Sequence, residues 1–386
     1  MKLLILIDDY PSDENLYSNV FAHVRIKGYI DNGATVQVAI TSKHMSVKDY
    51  IYEGVPVMGS SKIQDIKNLI ESYNPDAILV HFAIGRIIQS ILLKNKTIPT
   101  IIWVHGYEAL GWYRRLFNFH PLKPKSYFKL ASLIFRNTIQ LFYFRKLISF
   151  TNKNKHISFI FVSEWMKKIA STDCFNKINN FSIIGNPIDN SLFSYSKKED
   201  EKRFNLLMIR PFNSKKYGTD LVTEALLILK NTPIYHQLNI TIYGKGVEKS
   251  KLYRLLKNDT NVHLFGTFVN QIKIKELHDE NGIFLGISRQ DAQGVSMCEA
   301  LSSGLVVISS NNTAIPEYIP DNKAGLLTNN TPQDIANKIS QVINDVQLFN
   351  RLSKDGSTYI QDKVGFKSII QQELNIISKT INTKKE

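Results

Sequence analysis

The chain has 386 residues, 43% hydrophobic and 21% charged, and carries a formal net charge of +14. That length and apolar content suit a globular protein of two ordinary domains and argue against a disordered or fibrous one. Its two cysteines, Cys174 and Cys298, form no Cys-x-x-Cys pair and no Cys/His cluster, which argues against a disulfide framework or a structural zinc site and fits a reducing compartment.

The opening Met1-Lys-Leu-Leu-Ile-Leu-Ile7 stops at Asp8 and Asp9. It is too short for a signal peptide and no small-residue cleavage site follows, so it reads as a first buried strand, Lys2–Ile7. No later run reaches the ~20 consecutive apolar residues of a spanning helix. Further strands are predicted at Thr35–Ile40, Ala77–Val80, Thr100–Val104, Ser158–Val162 and Phe181–Ile184, with helices at Tyr17–Asp31, Ile63–Tyr73 and Ser126–Phe150. Short β-rich runs alternating with helices predict a doubly wound α/β sheet. The strand Thr100–Val104 ends in His105-Gly106. A lone histidine is more often structural, but at a strand end it can hydrogen-bond a sugar hydroxyl or a phosphate oxygen.

The net charge is unevenly placed. Between Ala109 and Ser163 there is no Asp or Glu, while ten cations fall there: Arg114, Arg115, Lys123, Lys125, Lys129, Arg136, Arg145, Lys146, Lys153 and Lys155. Aromatic residues are interleaved from Trp112 to Phe150. Such a tract can dock on an anionic membrane surface, each Lys or Arg near that surface contributing ~1 kcal/mol. It also suits a solvated basic helix with an ordinary core face, or nucleic acid.

The charged stretch Ser194–Arg203 breaks the pattern and is the best linker candidate. A second α/β unit follows, with strands at Phe204–Ile209, Leu238–Tyr243, Val262–Phe265, Gly282–Ile287 and Leu305–Ser309 and helices at Leu221–Lys230, Ile272–His278, Val295–Ser303, Gln333–Asn344 and Lys367–Lys379. Arg210 ends its first strand and is followed by Lys215 and Lys216, where ligands bind in open α/β sheets. Gly244-Lys-Gly246 is a turn after the next strand, weak evidence alone because many tight turns need glycine.

The richest segment is Ser288-Arg-Gln-Asp291-Ala-Gln-Gly294-Val-Ser296-Met-Cys-Glu299. Strand, glycine turn and helix start leave open backbone N–H groups for phosphate or sugar oxygens, with Asp291 and Glu299 able to accept hydrogen bonds from hydroxyls. That combination suits a nucleotide-sugar.

Asp291-x7-Glu299, followed by Gly304-Leu-Val-Val-Ile and Ile315-Pro-Glu317, resembles the Glu-x7-Glu signature of family-4 retaining glycosyltransferases. The resemblance implies the GT-B fold: two Rossmann-like α/β domains facing across a cleft. Applied to this chain, it divides into an acceptor-binding domain at 1–193, a nucleotide-sugar domain at 204–362, and a C-terminal helix and tail at 363–386 that cross back. Two departures stand out. Asp291 replaces the usual Glu, and Asn311-Asn312 replaces Gly-Gly before Pro-Glu, although Asn tolerates a left-handed backbone. The loop Asp8-Asp9-Tyr10-Pro11-Ser12 also lacks the family's glycine pair and leaves the acceptor open.

The roles implied by the resemblance follow residue by residue. Arg210 with Lys215 or Lys216 stabilises the departing nucleoside diphosphate, either lysine fitting the pattern. Asp291 and His105 lie at the transferred sugar. Glu299 accepts from the ribose, and Gly294, Val295 and Ser296 hold the phosphate–sugar region. Gly244, Gly246 and Phe268 line the nucleotide pocket, and Ser163-Glu164 and Asn186-Pro-Ile-Asp189 are hinge or cleft-wall positions. No protein nucleophile is required; no metal or cofactor is expected beyond the nucleotide-sugar co-substrate, because fixed cations meet the developing charge. The expectation is a hexosyltransferase using a UDP- or GDP-sugar and a glycan or lipid-linked acceptor in surface polysaccharide or lipopolysaccharide assembly. It would be cytoplasmic and peripheral at the inner face of the plasma membrane. The alternatives are a nucleotide-sugar-binding module without transfer and a nucleic-acid-binding protein using residues 112–155. No nucleic acid is expected as partner, since that reading leaves Arg210, Glu299 and the glycine turns without a role.

Overall fold

The computed structural model describes residues 1–13, 15, 18–42 and 48–382. They gather into two units, Met1–Pro187 with Lys367–Glu386, and Ile188–Phe366.

The first unit is built on eight strands: β1 (Lys2–Ile7), β2 (Thr35–Ile40), β3 (Tyr50–Tyr52), β4 (Val55–Met58), β5 (Ala77–His81), β6 (Thr100–Val104), β7 (Ile157–Phe161) and β8 (Phe181–Ile183). Their order is β3-β4-β2-β1-β5-β6-β7-β8, parallel throughout except for the β3–β4 pair. Leu3 pairs with Val36 on one side and Ala77 on the other. Leu3 to Ile7 are fully buried, as a parallel strand covered on both faces requires, which is why β1 reads as a continuous apolar run. The sheet changes direction between β1 and β5, so the crevice beyond their carboxyl ends, at Asp8 and His81, is where an open sheet of this kind takes a ligand.

The last helix, Phe366–Asn382, belongs with this first sheet. Its Glu373 is fully buried and accepts from Arg25 Nε at 2.8 Å, Tyr29 Oη at 2.6 Å and Trp103 Nε1 at 3.3 Å. Burial raises the Glu373 pKa against the pull of Arg25 and the three donors. Asn186 joins the group by accepting from Arg25 Nη2 at 3.2 Å.

The second unit carries β9 (Asn205–Ile209), β10 (Asn239–Tyr243), β11 (Val262–Phe265), β12 (Ile283–Gly286), β13 (Val306–Ser310) and β14 (Leu326–Thr328). All are parallel, in the order β11-β10-β9-β12-β13-β14. Numbered within the unit this is 3-2-1-4-5-6, the dinucleotide-binding order, with its switch point between β9 and β12.

Several elements depart from the sequence reading. The first helix begins at Val20 behind the left-handed Asn19; the expected start at Tyr17 lies outside the described residues, as does the tail 383–386. The hairpin β3–β4 and the helix Val346–Val364 were not predicted. Ser194–Arg203 lies inside the second unit: Lys198 is buried and donates to the His278 carbonyl at 2.7 Å, and Asp200–Phe204 closes a 3-10 turn. Ser163 caps the helix Glu164–Asp173 by accepting from Met166 N. Both cysteines are free and buried.

Candidate functional site

At the carboxyl edge of the second sheet, β9 runs directly into Arg210, which is only 7% exposed. Its Nε and Nη2 have no hydrogen-bond partner although both are buried. Burial lowers its pKa, opposed by the charges of Asp291, Tyr217 and Glu299. A buried, incompletely satisfied cation is costly unless a partner arrives. The neighbouring turn brings backbone close: a Cβ at Gly244 would collide with the Arg210 carbonyl oxygen, so glycine is required there. Gly246, at φ 90°, turns the chain after it.

On the other side of the switch point, β12 leads through Asp291 to Gly294, which sits at φ 83° as the N-cap of the helix Val295–Ser302. No side chain caps this helix, and uncapped first-turn amides such as those of Val295 and Ser296 suit oxygen acceptors. Glu299, one turn further on, has a partly exposed side chain but a desolvated carboxyl group, pushed up to about 8; a hydrogen bond with Gln271 and the charge of Arg210 act against that rise. Asp291 does more than present a carboxylate. Its Oδ1 accepts from Gly294 N at 2.9 Å and Gln293 N at 3.3 Å, locking the glycine turn.

The two lysines differ. Lys215 is exposed, whereas Lys216 is half-buried with Nζ 5.4 Å from the Tyr217 ring, the ring that also lies 6.0 Å from the Arg210 guanidinium carbon. Arg289 fixes this turn. It pairs with both Asp220 oxygens, at 2.7 and 3.0 Å, donates from Nη1 to the Lys215 carbonyl, and its backbone N–H donates to the Lys216 carbonyl at 2.7 Å. Phe265 stacks on Tyr243 at 4.4 Å, and Phe268 beyond it is 50% exposed, leaving aromatic surface at the β10–β11 edge. In the Asn311-Asn312 turn the left-handed residue is Thr313, at φ 51°. Asn312 instead donates Nδ2 to the Ser288 carbonyl at 3.0 Å, tying the turn to the loop after β12.

In the first unit, His105 follows β6 and lies 2.9 Å, Nε2 to Nδ1, from His81 at the end of β5. His105 packs among Phe21, Phe82 and His81, with ring centroids 4.9, 4.7 and 5.2 Å away. Desolvation, aided by the charge of Arg25, holds both imidazoles far below their usual pKa and so neutral. Glu108 is buried beneath this loop and accepts from the backbone N–H of His105 at 2.6 Å and of Gly106 at 2.9 Å; burial pushes its pKa up to about 7.

Arg210, Lys215, Lys216, Gly244, Gly246, Phe268, Asp291, Gly294, Val295, Ser296 and Glu299 therefore all belong to the loop edge of the second sheet, and His105 to that of the first. Sequence reasoning missed Arg289, Gln271, His81 and Glu108. His81 alone had a signal, its place at a strand end. Among the described residues no group of three His, Cys, Asp or Glu could hold a metal ion, and no helix is long and apolar enough to cross a membrane.

Comparison with known proteins agrees with this geometry. Residues 190–358 match the family model for glycosyl transferases group 1. An uncharacterized glycosyltransferase of Methanocaldococcus jannaschii is 26% identical over 76% of this chain and 72% of its own length. An alpha-1,3/1,6-mannosyltransferase of Dictyostelium discoideum is 26% identical over 55% of this chain and 54% of its own length, so the match spans about half of that relative. Among solved structures, Anabaena HepE in complex with UDP and glucose aligns with a TM-score of 0.69 at 15% identity, over 98% of this chain and 100% of its own. WaaG, a glycosyltransferase involved in lipopolysaccharide biosynthesis, aligns with a TM-score of 0.66 at 13% identity, over 98% and 99%. Residues 190–358 are thus similar to the group 1 glycosyl transferases, and the two parallel-sheet units share the fold of the GT-B glycosyltransferase structures.

Proposed function

We propose that this protein is a retaining hexosyltransferase that moves a sugar from a UDP- or GDP-sugar to a glycan or lipid-linked acceptor in surface polysaccharide or lipopolysaccharide assembly. The observation that carries the reading is Arg210: a buried guanidinium with two unsatisfied nitrogens, at the switch point and electrostatically coupled to Asp291 and Glu299. A nucleoside diphosphate supplies the charge and acceptors that this group lacks. HepE binds UDP, which favours UDP as the nucleotide.

The residues then divide the task. Arg210 and a lysine of the Lys215–Lys216 turn stabilise the departing diphosphate, charge that grows as the glycosidic bond breaks. The open amides at Val295 and Ser296 hold phosphate or sugar oxygens. Glu299 takes the ribose hydroxyls, and the free oxygen of Asp291 takes the transferred sugar. Phe268 lies beside the base. His105, held neutral, offers a hydrogen bond to a sugar hydroxyl. Transfer is front-face, with the departing phosphate taking the acceptor proton, so fixed cations carry the charge without a metal ion. The anomer of the product, read by NMR, tests retention.

The membrane part of the reading rests on the helix Pro124–Thr151, where Phe128, Phe135 and Phe142 are 79, 68 and 52% exposed at seven-residue spacing. Lys129, Arg136, Arg145 and Lys146 flank them. An exposed apolar stripe bordered by cations fits the interface of an anionic bilayer, at the cytoplasmic face where the nucleotide-sugars are.

Calorimetric titration with UDP- and GDP-sugars, wild type beside Glu299→Ala, tests the donor site. Saturable binding of one nucleotide class, lost in the variant, is expected. A folded protein that binds neither would overturn the reading.

A further inference from the structure

The first unit contains a cavity of about 580 Å³ that the donor chemistry does not use. Asp8, at the carboxyl end of β1, and Tyr107 belong to its lining; Arg86, Arg115, Lys129 and Arg136 supply four cations. It opens where the switch point of the first sheet puts a ligand, and its volume is that of a small-molecule site.

Among the described residues none of the four pairs with a carboxylate. The contrast with Arg114 is instructive: that neighbour is spent on Asp173, at 2.8 Å. Arg86 is aimed by donating to the carbonyls of Thr41 and Ser61. Burial disfavours the charge on both Arg86 and Arg115, a cost that a bound anion offsets. Asp8 is held from behind by Tyr107 Oη and Asn19 Nδ2, each at 2.9 Å, and its oxygens retain lone pairs for a hydroxyl.

The helix Pro124–Thr151 contributes Lys129, Ser132, Leu133, Arg136 and Gln140 to this lining, a spacing of three and four residues that makes one helical face. The exposed phenylalanines occupy a different face of the same helix.

We propose that this cavity binds the acceptor as a phosphate ester, its phosphate held by Arg115, Lys129 and Arg136 and a neighbouring hydroxyl accepted by Asp8. The proposal rests on the glycosyltransferase reading and names its acceptor class. The phosphate can belong to a soluble phosphopolyol or to a lipid headgroup. A concave pocket with one carboxylate among four cations selects a small ligand bearing both groups; a polyanion or a flat bilayer needs neither the cavity nor Asp8.

The test is calorimetric titration of the full chain with glycerol 3-phosphate and with methyl phosphate, each with and without saturating UDP. Glycerol 3-phosphate is expected to bind the wild type under both conditions. Arg115→Ala and Arg136→Ala should weaken it tenfold or more, and Arg210→Met should not. Arg115→Lys keeps the charge but loses the two-pronged fork, so it should weaken binding in a protein that melts normally. Asp8→Asn should abolish the preference for glycerol 3-phosphate over methyl phosphate. Binding that survives Arg115→Ala and Arg136→Ala, or that is lost instead in Arg210→Met, overturns the proposal and puts the phosphate in the donor site. If UDP does not bind at all, the donor reading fails while these first-unit variants still decide the cavity. Phosphatidylcholine vesicles with and without phosphatidic acid separate the two sources. Displacement of glycerol 3-phosphate only by the acidic vesicles supports a lipid headgroup, and retention supports a soluble acceptor.

Discussion

His81 and His105 share a single hydrogen bond of 2.9 Å between Nδ1 and Nε2, and both rings are held neutral by desolvation. Only one of the two nitrogens can carry the proton, so the tautomer of His105 is coupled to that of the buried His81 ring, which stacks on Trp103 at 4.9 Å. His81→Phe should therefore lower kcat about fivefold, the loss of one hydrogen bond worth about 1 kcal/mol, with KM for the donor little changed. His105→Ala should cost at least as much. A His81→Phe enzyme with normal kcat would make the pair purely structural.

Arg210 predicts opposite effects on binding and stability. Replacing the unsatisfied cation by methionine removes a desolvation cost, so Arg210→Met without ligand should melt above the wild type, by about 1–3 kcal/mol of stability. The same variant should lose UDP binding by roughly a hundredfold or more, as expected for a charge-assisted contact. Lys216→Ala should weaken UDP more than Lys215→Ala, because Lys216 shares the Tyr217 ring with Arg210. A less stable Arg210→Met that still binds UDP would refute the assignment.

Glu108 gives a pH signature. Its pKa rises from 4.5 unfolded to about 7 in the folded protein through burial. The folded state therefore holds the extra proton between those values. The contribution is fully present below the unfolded pKa and is lost as pH rises through the folded one, at up to about 1.4 kcal/mol per pH unit. Melting temperatures of wild type and Glu108→Gln should diverge in the variant's favour between pH 5 and 8. Parallel pH curves would contradict the burial argument.

The exposed face of the helix Pro124–Thr151 can be altered without touching the core. Phe128→Ser with Phe135→Ser and Phe142→Ser should leave the melting temperature within a few degrees and sharply reduce flotation with anionic vesicles, a loss that raised salt should deepen. Unchanged flotation would remove the membrane from the proposed function.

Much of this was legible in the residues. The boundaries of β1, β2, β6 and β11 and of the helix Ile63–Tyr73 coincide with those predicted, because buried parallel strands are uninterrupted apolar runs and that helix has a clear apolar face. The hairpin β3–β4 was hidden by its brevity and by Pro56. In the helix Val346–Val364 the core face includes Ser353, Gly356 and Ser357, small residues that let it approach the Ala324 backbone and leave no hydrophobic signal. That Arg210, Asp291 and Glu299 share the loop edge of the second unit followed from motif spacing. Arg289 and Gln271 did not, because each acts through a partner, Asp220 or Glu299, that only folding brings close.

The place of Glu373 bears on how the chain acquires its structure during synthesis. Arg25 and Trp103 emerge from the ribosome long before their carboxylate partner, which stands in the last helix. A nascent chain that ends before that helix leaves the Arg25 guanidinium without its counter-ion, and the group stays unpaired until Glu373 arrives. The second unit, continuous from Ile188 to Phe366, has no such dependence. Translation order is therefore the reverse of the expected maturation order: the later-made unit can consolidate first, and the earlier-made one is completed only when its final helix docks.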